Sequence, residues 1–500
     1  MGTREGRGLL WLVPLLFAML LAVVPRLTDA DQVPDSLDAY TADVEERVPA
    51  ILDRDGVPGA SVAVVADGEL VWAQGFGVRD RETGEPVVAD TVFQAGSNAK
   101  PLTAWAVLRL AEQGPIELDS AVDAQVAGWQ LPGGEYPAEG VTPERLLAHT
   151  AGLPFAITGV PRSVRELRRW QVEPTGFEVG HEPGAGFVYS NPGYAVLGLL
   201  VEEAAGEPFA DVVAREVLEP LGMHDSTFEL DDRLARRAAT GYDQDGEPVP
   251  VDWRGPIGAG GLHTTAPDLA RFAAAVHDGG EAAPAGRGVL HPATVEQLHQ
   301  PRAPTAGIPH SLMAEHAAFG LFVEQLPNGH RVVAHGGEEE GWISGFVMVP
   351  ATGDGLVVLT NSRAGYPLLI EQLADWTQWR GIGTLTLTGS YQRLVTGVLA
   401  VIGLFAGIGV VVGWTLVRDA RAGARLTSPW AAGRRVRALG LLAGGVALLV
   451  AWWALAADLL AGFVPYLTTW LASTVTACAL LVIVRASVEP GGRAVRRRHS

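Results

Sequence analysis

Ser97 and Lys100 are the two residues whose types and spacing point most directly to chemistry. Lys100 is the single lysine among 37 basic residues, and it follows the serine by three positions in the segment FQAGSNAK. Arginine stays protonated at physiological pH, whereas a buried lysine can lose its proton near neutrality and act as a base. We therefore predict that Lys100 takes the proton of the Ser97 hydroxyl as that oxygen attacks a carbonyl carbon.

This pair needs a helix that begins at Ser97, because residues i and i+3 then share a face. Gly96 permits a close backbone approach, Pro101 suits a first helical turn, and the apolar residues between positions 99 and 110 predict a mostly buried helix. The free N–H groups and the dipole at a helix N-terminus favour a neutral lysine and a developing oxyanion.

Two further motifs carry polar groups that suit the same site. If Tyr189-Ser190-Asn191 is extended, its first and third side chains point to the same side. A phenol can then relay a proton, and an amide can hold a substrate carbonyl. His335-Gly336-Gly337 follows a predicted strand, and its glycines let a substrate backbone lie against the strand edge. Taken alone, the first motif is more typical of a structural turn, and the second of a surface histidine.

The elements around these motifs predict a sheet built from both ends of one domain. Asp67-Gly68 between two apolar runs indicates a hairpin. Residues 105–240 are mainly helical in pattern, and strand patterns return at 331–334, 345–349 and 355–360. We therefore predict an α/β sandwich with an all-α lobe inserted between its strands.

Taken together, the three motifs resemble those of serine hydrolases related to class C β-lactamases and D-Ala-D-Ala carboxypeptidases. Those enzymes carry Ser-x-x-Lys, Tyr-x-Asn and Lys- or His-x-Gly in this order. The resemblance covers about residues 49–362, including the segment HTAGL that begins at His149. It implies a β-lactamase-like antiparallel sheet flanked by helices plus an all-α lobe. Ser97 would be the nucleophile, with Lys100 and Tyr189 as the proton-transfer pair.

The same resemblance assigns the substrate-binding groups. Asn191 would hold the substrate amide, and the backbone N–H groups of Ser97 and Glu338 would form the oxyanion hole. His335, with Gly336 and Gly337, would line the wall of the site. We expect no cofactor and no metal.

The third motif departs from the lysine form in a way that affects the substrate. A histidine that is largely neutral at pH 7 attracts a substrate carboxylate less than a lysine does. The next residues are Glu338-Glu339-Glu340, which form either a solvated acidic loop or a negative wall of the cleft. A negative wall would favour substrates with a free ammonium, such as D-alanyl esters or N-terminal D-amino acids. Peptidase, esterase and β-lactamase activities all stay open.

The charge of the predicted domain, residues 31–386, bounds its partners. This region holds 22 basic and 51 acidic residues, a net charge of −29, which disfavours nucleic acid as a partner. We expect a small peptide or ester substrate instead. The only cysteine, Cys478, lies outside this domain, so the sequence excludes disulfides and cysteine-based metal sites within it.

The two ends of the chain carry the pattern of membrane proteins. In residues 1–30, Arg4 and Arg7 precede an apolar core, which indicates a signal peptide or an uncleaved signal anchor. Within residues 387–500, each of three apolar stretches has about the 20 residues needed to cross a bilayer. These stretches are 394–416, 438–460 and 464–484.

The arginines between the stretches predict an orientation. Arginine-rich segments at 418–437 and 485–498 favour the cytoplasmic side. Three transmembrane helices that end inside must begin outside, so we predict a multi-pass protein of the cell membrane with an extracytoplasmic catalytic domain. A different class of function is a penicillin-binding sensor that is acylated and signals through these helices. The short tail and loop leave no room for a folded signalling domain, which favours an enzyme.

Overall fold

The computed structural model describes residues 33–132, 134–155, 178–249, 257–280, 284–422, 425–426, 463, 465–486 and 488–489. The chain divides into two compact units. One unit is Thr28–Ser390, and the other combines Met1–Leu27 with Tyr391–Ser500. The predicted end of the catalytic domain, residue 386, falls inside the first unit and close to its end.

The first unit is built around a sheet of eight antiparallel strands in the order β2-β1-β10-β9-β8-β7-β6-β5. A separate two-stranded ladder joins β3 to β4. The strands are β1 Gly59–Ala66, β2 Glu69–Gly77, β3 Phe93–Gln94, β4 His263–Thr264, β5 Ala303–Pro304, β6 His316–Ala317, β7 Phe322–Gln325, β8 Arg331–Glu339, β9 Trp342–Val349 and β10 Asp354–Thr360.

The predicted hairpin and the joining of both sequence ends are confirmed. Asp67 and Gly68 have φ of 50° and 72°, the left-handed conformations that a tight two-residue hairpin turn requires. Strand β1 then pairs with β10, with Ala60 opposite Thr360. Seven of the eight residues of β1 are buried, as expected for a strand in the interior of a sheet with both faces covered.

The helices of this unit cover the sheet and form a separate lobe. They are α1 Leu37–Asp55, α2 Ala99–Gln113, α3 Val122–Gln125, α4 Pro143–Leu147, α5 Asn191–Ala205, α6 Phe209–Val213, α7 Asp232–Ala235, α8 Ala266–Ala275, α9 Pro292–Leu298, α10 His310–Met313 and α11 Tyr366–Trp379. Helix α8 packs on strands β1, β2, β9 and β10, while α11 packs on β9 and β10 and against α1. Helices α2, α5 and α6 pack on one another, which gives the predicted all-α lobe.

Helix α1 is a structural element that the sequence analysis left unassigned. It packs on α11, with the rings of Tyr40 and Trp379 stacked at a centroid distance of 4.2 Å. Arg54 in its last turn lies 2.6 Å from a carboxylate oxygen of Asp55 and 2.8 Å from one of Glu371 on α11. Aromatic stacking and ion pairing therefore both join α1 to α11.

Strand β8 is longer than predicted and includes the His335-Gly336-Gly337 motif. The glycines do not end the strand, because Gly336 and Gly337 pair with Gly345 and Ser344 of β9. On the other side, β7 pairs only with residues 331–334 of β8. Among the described residues, no strand pairs with residues 335–338 of β8 on the β7 side, and we call this stretch the free edge of β8.

The second unit contains α12 from Tyr391 onwards, α13 and a ladder of β11 and β12. Their bounds are Thr386–Arg421 for α12, Pro465–Ala486 for α13, Arg425–Leu426 for β11 and Val488–Glu489 for β12. Within the described residues, α12 alone is long and apolar enough to cross a membrane, and the apolar part of α13 spans only Trp470–Val482. The predicted signal at 1–30 and the apolar stretch at 438–460 lie outside the described residues. The three-helix membrane region therefore stays a prediction.

We expect Arg54→Ala to lower the free energy of unfolding by about 3 kcal/mol, because it leaves buried carboxylates without their cation. The side chains of Asp55 and Glu371 are 0% and 6% exposed. Arg215→Ala is the control, since Arg215 and its partner Glu207 are 45% and 49% exposed, and its second partner, Glu216, keeps an ion pair with Arg109. Its cost should stay below about 1 kcal/mol. Urea unfolding of both variants measures the difference, and equal losses would contradict the assigned role of the α1–α11 ion pair.

Candidate active site

Ser97 lies in a tight turn that is held against strand β8. The turn, Gly96–Asn98, is a 3₁₀ helix that leads directly into α2. A 3₁₀ turn eclipses residues i and i+3, so the predicted pairing of side chains holds although the α-helix itself starts later. Gly96 has φ of 50°, and a Cβ atom there would lie 2.9 Å from the backbone nitrogen of Glu338. The turn thus requires glycine and brings the Glu338 N–H group next to Ser97.

Lys100 is fully buried and faces the nucleophile. Its Nζ lies 2.9 Å from Ser97 Oγ and 2.8 Å from the carbonyl oxygen of Ala259. The rings of Tyr189 and Tyr194 lie 5.0 and 5.7 Å from Nζ. Burial lowers the pKa of Lys100 to about 7, although the charge of Glu339 acts in the opposite direction. The amine can therefore donate to Ala259 and accept the Ser97 proton near neutral pH.

Tyr189 and Asn191 flank the N-cap residue of helix α5. Ser190 is the N-cap residue, and its Oγ accepts a hydrogen bond of 2.9 Å from the Gly193 N–H. Asn191 is thus the first helical residue rather than part of an extended segment. Its Oδ1 is buried and, among the described residues, makes no hydrogen bond, so it can accept one from a substrate N–H.

The phenol of Tyr189 stays protonated at neutral pH. Burial raises the pKa of Tyr189, and a hydrogen bond with the Ser97 hydroxyl lowers it in part. Tyr189 therefore lies beside both Ser97 and Lys100, so the structure brings the three predicted catalytic side chains together. A protonated phenol in this place can pass a proton between the two.

His149 supports Tyr189 from behind, a role that the sequence did not indicate. Its ring stacks on Tyr189 at 4.2 Å, and its Nδ1 accepts a hydrogen bond of 3.1 Å from the Ser190 N–H. Burial lowers the pKa of His149 well below its usual range, so the ring is neutral and can accept. His310 also stacks on Tyr189, at 4.6 Å. The only sequence signal was the HTAGL segment, which suggested relatedness but no contact.

His335 lies on the Ser97 side of β8 as a neutral wall. It is 4% exposed, and burial lowers its pKa to about 3. A neutral imidazole offers no charge to a substrate carboxylate, in line with the expectation from the sequence.

Glycine at position 337 lets β8 approach the catalytic turn. A Cβ atom at Gly337 would lie 2.0 Å from the Ala95 carbonyl oxygen. Ser344 on β9 fastens the same turn, because its Oγ donates to that oxygen at 2.9 Å and accepts from Asn98 Nδ2 at 2.7 Å. Strands β8 and β9 together therefore fix the position of Ser97.

The acidic run after His335 divides between two directions. Glu338 is exposed, and its carboxylate accepts a hydrogen bond from the Tyr366 phenol and lies 2.5 Å from Arg363. Glu339 is half-buried, and its charge raises the pKa of both Lys100 and Tyr189. The negative charge that acts on the site is therefore mainly that of Glu339, while Glu340 is exposed.

The described residues offer no set of side chains suited to binding a metal ion. Within the described residues, no group of three or more His, Cys, Asp or Glu side chains is arranged to hold a metal ion. The chemistry that the geometry supports is nucleophilic attack by Ser97 with Lys100 as the base.

We expect kcat/KM to rise with pH and level off above about pH 7, because only the neutral Lys100 amine can accept the proton. Below that midpoint, kcat/KM should fall about tenfold per pH unit, because the neutral fraction of a single titrating group falls by that factor. Glu339→Gln removes a charge that raises the pKa of Lys100, so its midpoint should move to lower pH. Glu340→Gln is the matched control and should leave the midpoint in place. An unmoved midpoint in Glu339→Gln would exclude the assigned coupling.

Comparison with known proteins places the catalytic unit in a family. The family model described as Beta-lactamase matches residues 44–374. Penicillin-binding protein 4 of Amycolatopsis lactamdurans is 34% identical over 378 residues, which cover 70% of this chain and 97% of that protein. Protein flp of Staphylococcus aureus strain MW2 is 28% identical over 354 residues, which cover 67% of this chain and 66% of the relative. The match thus spans just under two thirds of that relative's length.

A solved structure agrees with this assignment. The octameric penicillin-binding protein homologue from Pyrococcus abyssi superposes with a TM-score of 0.59 at 26% sequence identity, covering 69% of this chain and 78% of that one. The family match contains Ser97, Lys100, Tyr189 and the whole of strand β8. The chain belongs to the β-lactamase family of serine hydrolases.

Proposed function

We propose that this chain is a membrane-anchored, extracytoplasmic serine hydrolase that cleaves amide or ester bonds in D-amino acid-containing peptides or esters of the cell envelope. One observation carries the proposal: Lys100 is fully buried with its Nζ 2.9 Å from Ser97 Oγ. A buried amine that is neutral near pH 7 and touches a serine hydroxyl suits general-base activation of that hydroxyl.

In the acylation step, Ser97 Oγ attacks the substrate carbonyl carbon while its proton passes to Lys100. The negative charge that forms on the carbonyl oxygen is stabilised by the N–H groups of Ser97 and Glu338. Collapse of this intermediate breaks the C–N or C–O bond. The proton then moves from Lys100 through Tyr189 to the leaving amine or alkoxide, and Ser97 remains acylated.

In the deacylation step, water takes the place of the departed leaving group. Lys100 and Tyr189 accept its proton as the water oxygen attacks the acyl carbon. Collapse breaks the bond to Ser97 Oγ, which regains a proton, and the free acid is released. The same groups therefore act in both halves of the cycle, in opposite directions.

The charges of the site support substrates with a free ammonium. His335 is neutral and gives no anchor for a carboxylate, whereas Glu339 places negative charge near Lys100 and Tyr189. Opposite charges attract more strongly at a partly desolvated site than in water. D-Alanyl esters and peptides with an N-terminal D-amino acid carry such an ammonium.

The membrane part of the proposal rests on helix α12 and on the sequence pattern that follows it. Thr386–Arg421 contains an 18-residue window with mean hydropathy 2.5. The arginine-rich segments at 418–437 and 485–498 favour the cytoplasmic side. We infer that membrane lipid contacts the C-terminal helices and that the catalytic unit faces away from the cytoplasm.

We expect Lys100→Arg to lower kcat/KM for the p-nitroanilide of D-alanine by about 10³-fold, because arginine cannot release its proton. Release of p-nitroaniline by the full-length protein measures the effect. Ser97→Ala is the reference for complete loss, and the thermal unfolding midpoint of each variant shows whether the fold is retained. Equal rates in Lys100→Arg and the unaltered protein would overturn the catalytic assignment.

The same assay separates the enzyme from the alternative of a slowly deacylating penicillin-binding sensor. An enzyme turns over many equivalents of substrate, whereas a sensor releases one equivalent in a burst and then stops. A single burst, with a fluorescent penicillin retained on Ser97, would replace the proposed function with the sensor.

We expect a cysteine at position 45 to be labelled from outside the cell and one at position 428 to be protected. Glu45 is exposed on α1, and position 428 lies in the predicted cytoplasmic loop. Cys478 is the only native cysteine, so Cys478→Ser provides a clean background. Glu45→Cys should react with an impermeant maleimide in intact cells, and Ser428→Cys only after lysis. The reverse pattern would exclude the proposed orientation.

A further inference from the structure

A partly open pocket of about 670 Å³, its mouth included, lies between α11 and the strands β7, β8 and β9. Its walls are largely aliphatic and come from several elements. The aliphatic side chains are those of Val332, Val347, Leu369, Leu373, Leu385 and Leu387.

The aliphatic wall of the pocket lies on the opposite side of β8 from Ser97. Successive residues of a strand face opposite ways. A Cβ atom at Gly337 would meet Ala95 beside the catalytic turn, whereas one at Gly336 would lie 3.9 Å from the methyl group of Met313, a pocket residue. Gly345, which pairs with Gly336, faces Leu369 of the pocket.

The catalytic side and the pocket adjoin each other at the free edge of β8. Strand β7 pairs only with residues 331–334, and the pocket lining includes His335, Gly336 and Gly337 just beyond this point. Phe322 lies at the boundary, because it lines the pocket while its ring is 6.3 Å from Tyr189 and 5.3 Å from His335. A chain that crosses this edge passes from the catalytic side to the pocket.

The position of Tyr189 identifies which part of a substrate is nearest to the pocket. In the proposed function, Tyr189 delivers the proton to the leaving group. Phe322 stacks on Tyr189 and also forms the pocket wall, so the leaving group is the part that lies closest to the pocket mouth.

The polar groups at the rim of the pocket already have partners within the protein. Glu324 accepts a hydrogen bond of 2.7 Å from the Thr386 N–H, and the Tyr366 phenol donates to Glu338. The pocket therefore favours an apolar occupant, since polar groups left unpaired in such a space are costly. Leu385 and Leu387 flank Thr386, the first residue of the helix that is apolar enough to cross a bilayer.

We infer that this pocket binds an unbranched hydrocarbon chain carried by the leaving group of an amphiphilic ester substrate. The inference rests on the proposed function and narrows its substrates to esters whose alcohol part bears an alkyl chain. The chain would leave the carbonyl beside Ser97, cross the free edge of β8 near Gly336 and lie between Leu373 and Val347.

The test uses n-alkyl esters of D-alanine from ethyl to octyl, with the full-length protein in lipid nanodiscs. Release of D-alanine measures kcat/KM, and the acyl group is the same throughout, so deacylation does not differ between the esters. We expect kcat/KM to rise about fourfold per methylene until the pocket is filled, the fold-change that corresponds to about 0.8 kcal/mol for each buried methylene.

Two variants change the pocket in opposite directions. Ala334→Phe fills it from β8 and should lower the ratio of octyl to ethyl kcat/KM by at least tenfold. Leu373→Ala enlarges it from α11 and should move the optimum to a longer chain, which a folding defect does not produce. Leu368→Ala makes the same truncation at a buried position of α11 that does not line the pocket, and it should leave the ratio unchanged.

Inhibition by n-octanol then shows whether the hydrocarbon chain in the pocket belongs to the substrate or to a bilayer lipid. We expect octanol to compete with the ethyl ester, and Ala334→Phe to weaken this inhibition. Octanol that binds without competing, together with a flat chain-length profile, would assign the pocket to a bilayer lipid and overturn the inference. Hydrolysis of the ethyl ester with a flat profile overturns this inference alone. Failure to hydrolyse any ester of the series overturns the proposed function and the inference with it.

Discussion

The burial of a lysine, which lowers its pKa to about 7, is the constraint on which the catalytic unit depends. A charged ammonium in a water-free site is costly without an anionic partner, so Lys100 is held in a state that favours loss of its proton. The Ala259 carbonyl oxygen accepts a hydrogen bond from the amine. The rings of Tyr189 and Tyr194 lie beside the amine and exclude water from it. The segment that carries Ala259 is itself fixed to α2, because Thr103 donates a 2.8 Å hydrogen bond to the Gly258 carbonyl. Gly258 must be glycine, since φ is 69° and a Cβ atom would lie 2.4 Å from the Tyr194 carbonyl oxygen.

The two faces of strand β8 have different roles. One face carries His335, Gly337 and Glu339, which shape the catalytic side, and the other carries Gly336 and Glu338, which lie on the side of α11, where Tyr366 donates to Glu338. Because side chains alternate along a strand, the consecutive glutamates Glu338 and Glu339 lie on opposite faces of β8. The free edge between the faces exists because the neighbouring strand β7 is only four residues long.

The parts of the site that could be predicted are local in sequence. Ser97 and Lys100 are neighbours on one turn, and the hairpin at Asp67 and Gly68 depends on two residues, so their spacing was sufficient. The contact of His149 with Tyr189 joins residues 40 positions apart, and the division between Glu338 and Glu339 depends on the register of β8 with β9. A single sequence motif does not contain information about long-range contacts or strand register.

The elements that were missed have different physical causes. Strands β5, β6 and β7 are two to four residues long, too short to show a period of two. Helix α1 did carry a signal, because its buried residues include Tyr40, Val44, Val48 and Ile51 at helical spacing. For the membrane region, composition alone indicated three helices, and α12 alone meets the length and hydropathy of a spanning helix within the described residues.

The pairing of β1 with β10 sets the order in which this domain can be completed. Ala60 and Thr360 are partners in the sheet although 300 positions separate them along the chain. During synthesis, β1 emerges early with mostly apolar residues and can pair at once with β2, but its second neighbour, β10, follows only when almost the whole domain has been made. Closing so long a loop is entropically slow, and an apolar strand with one unpaired edge can associate with other chains. A nascent chain that stops before residue 354 therefore leaves one edge of β1 unpaired and open to association with other chains.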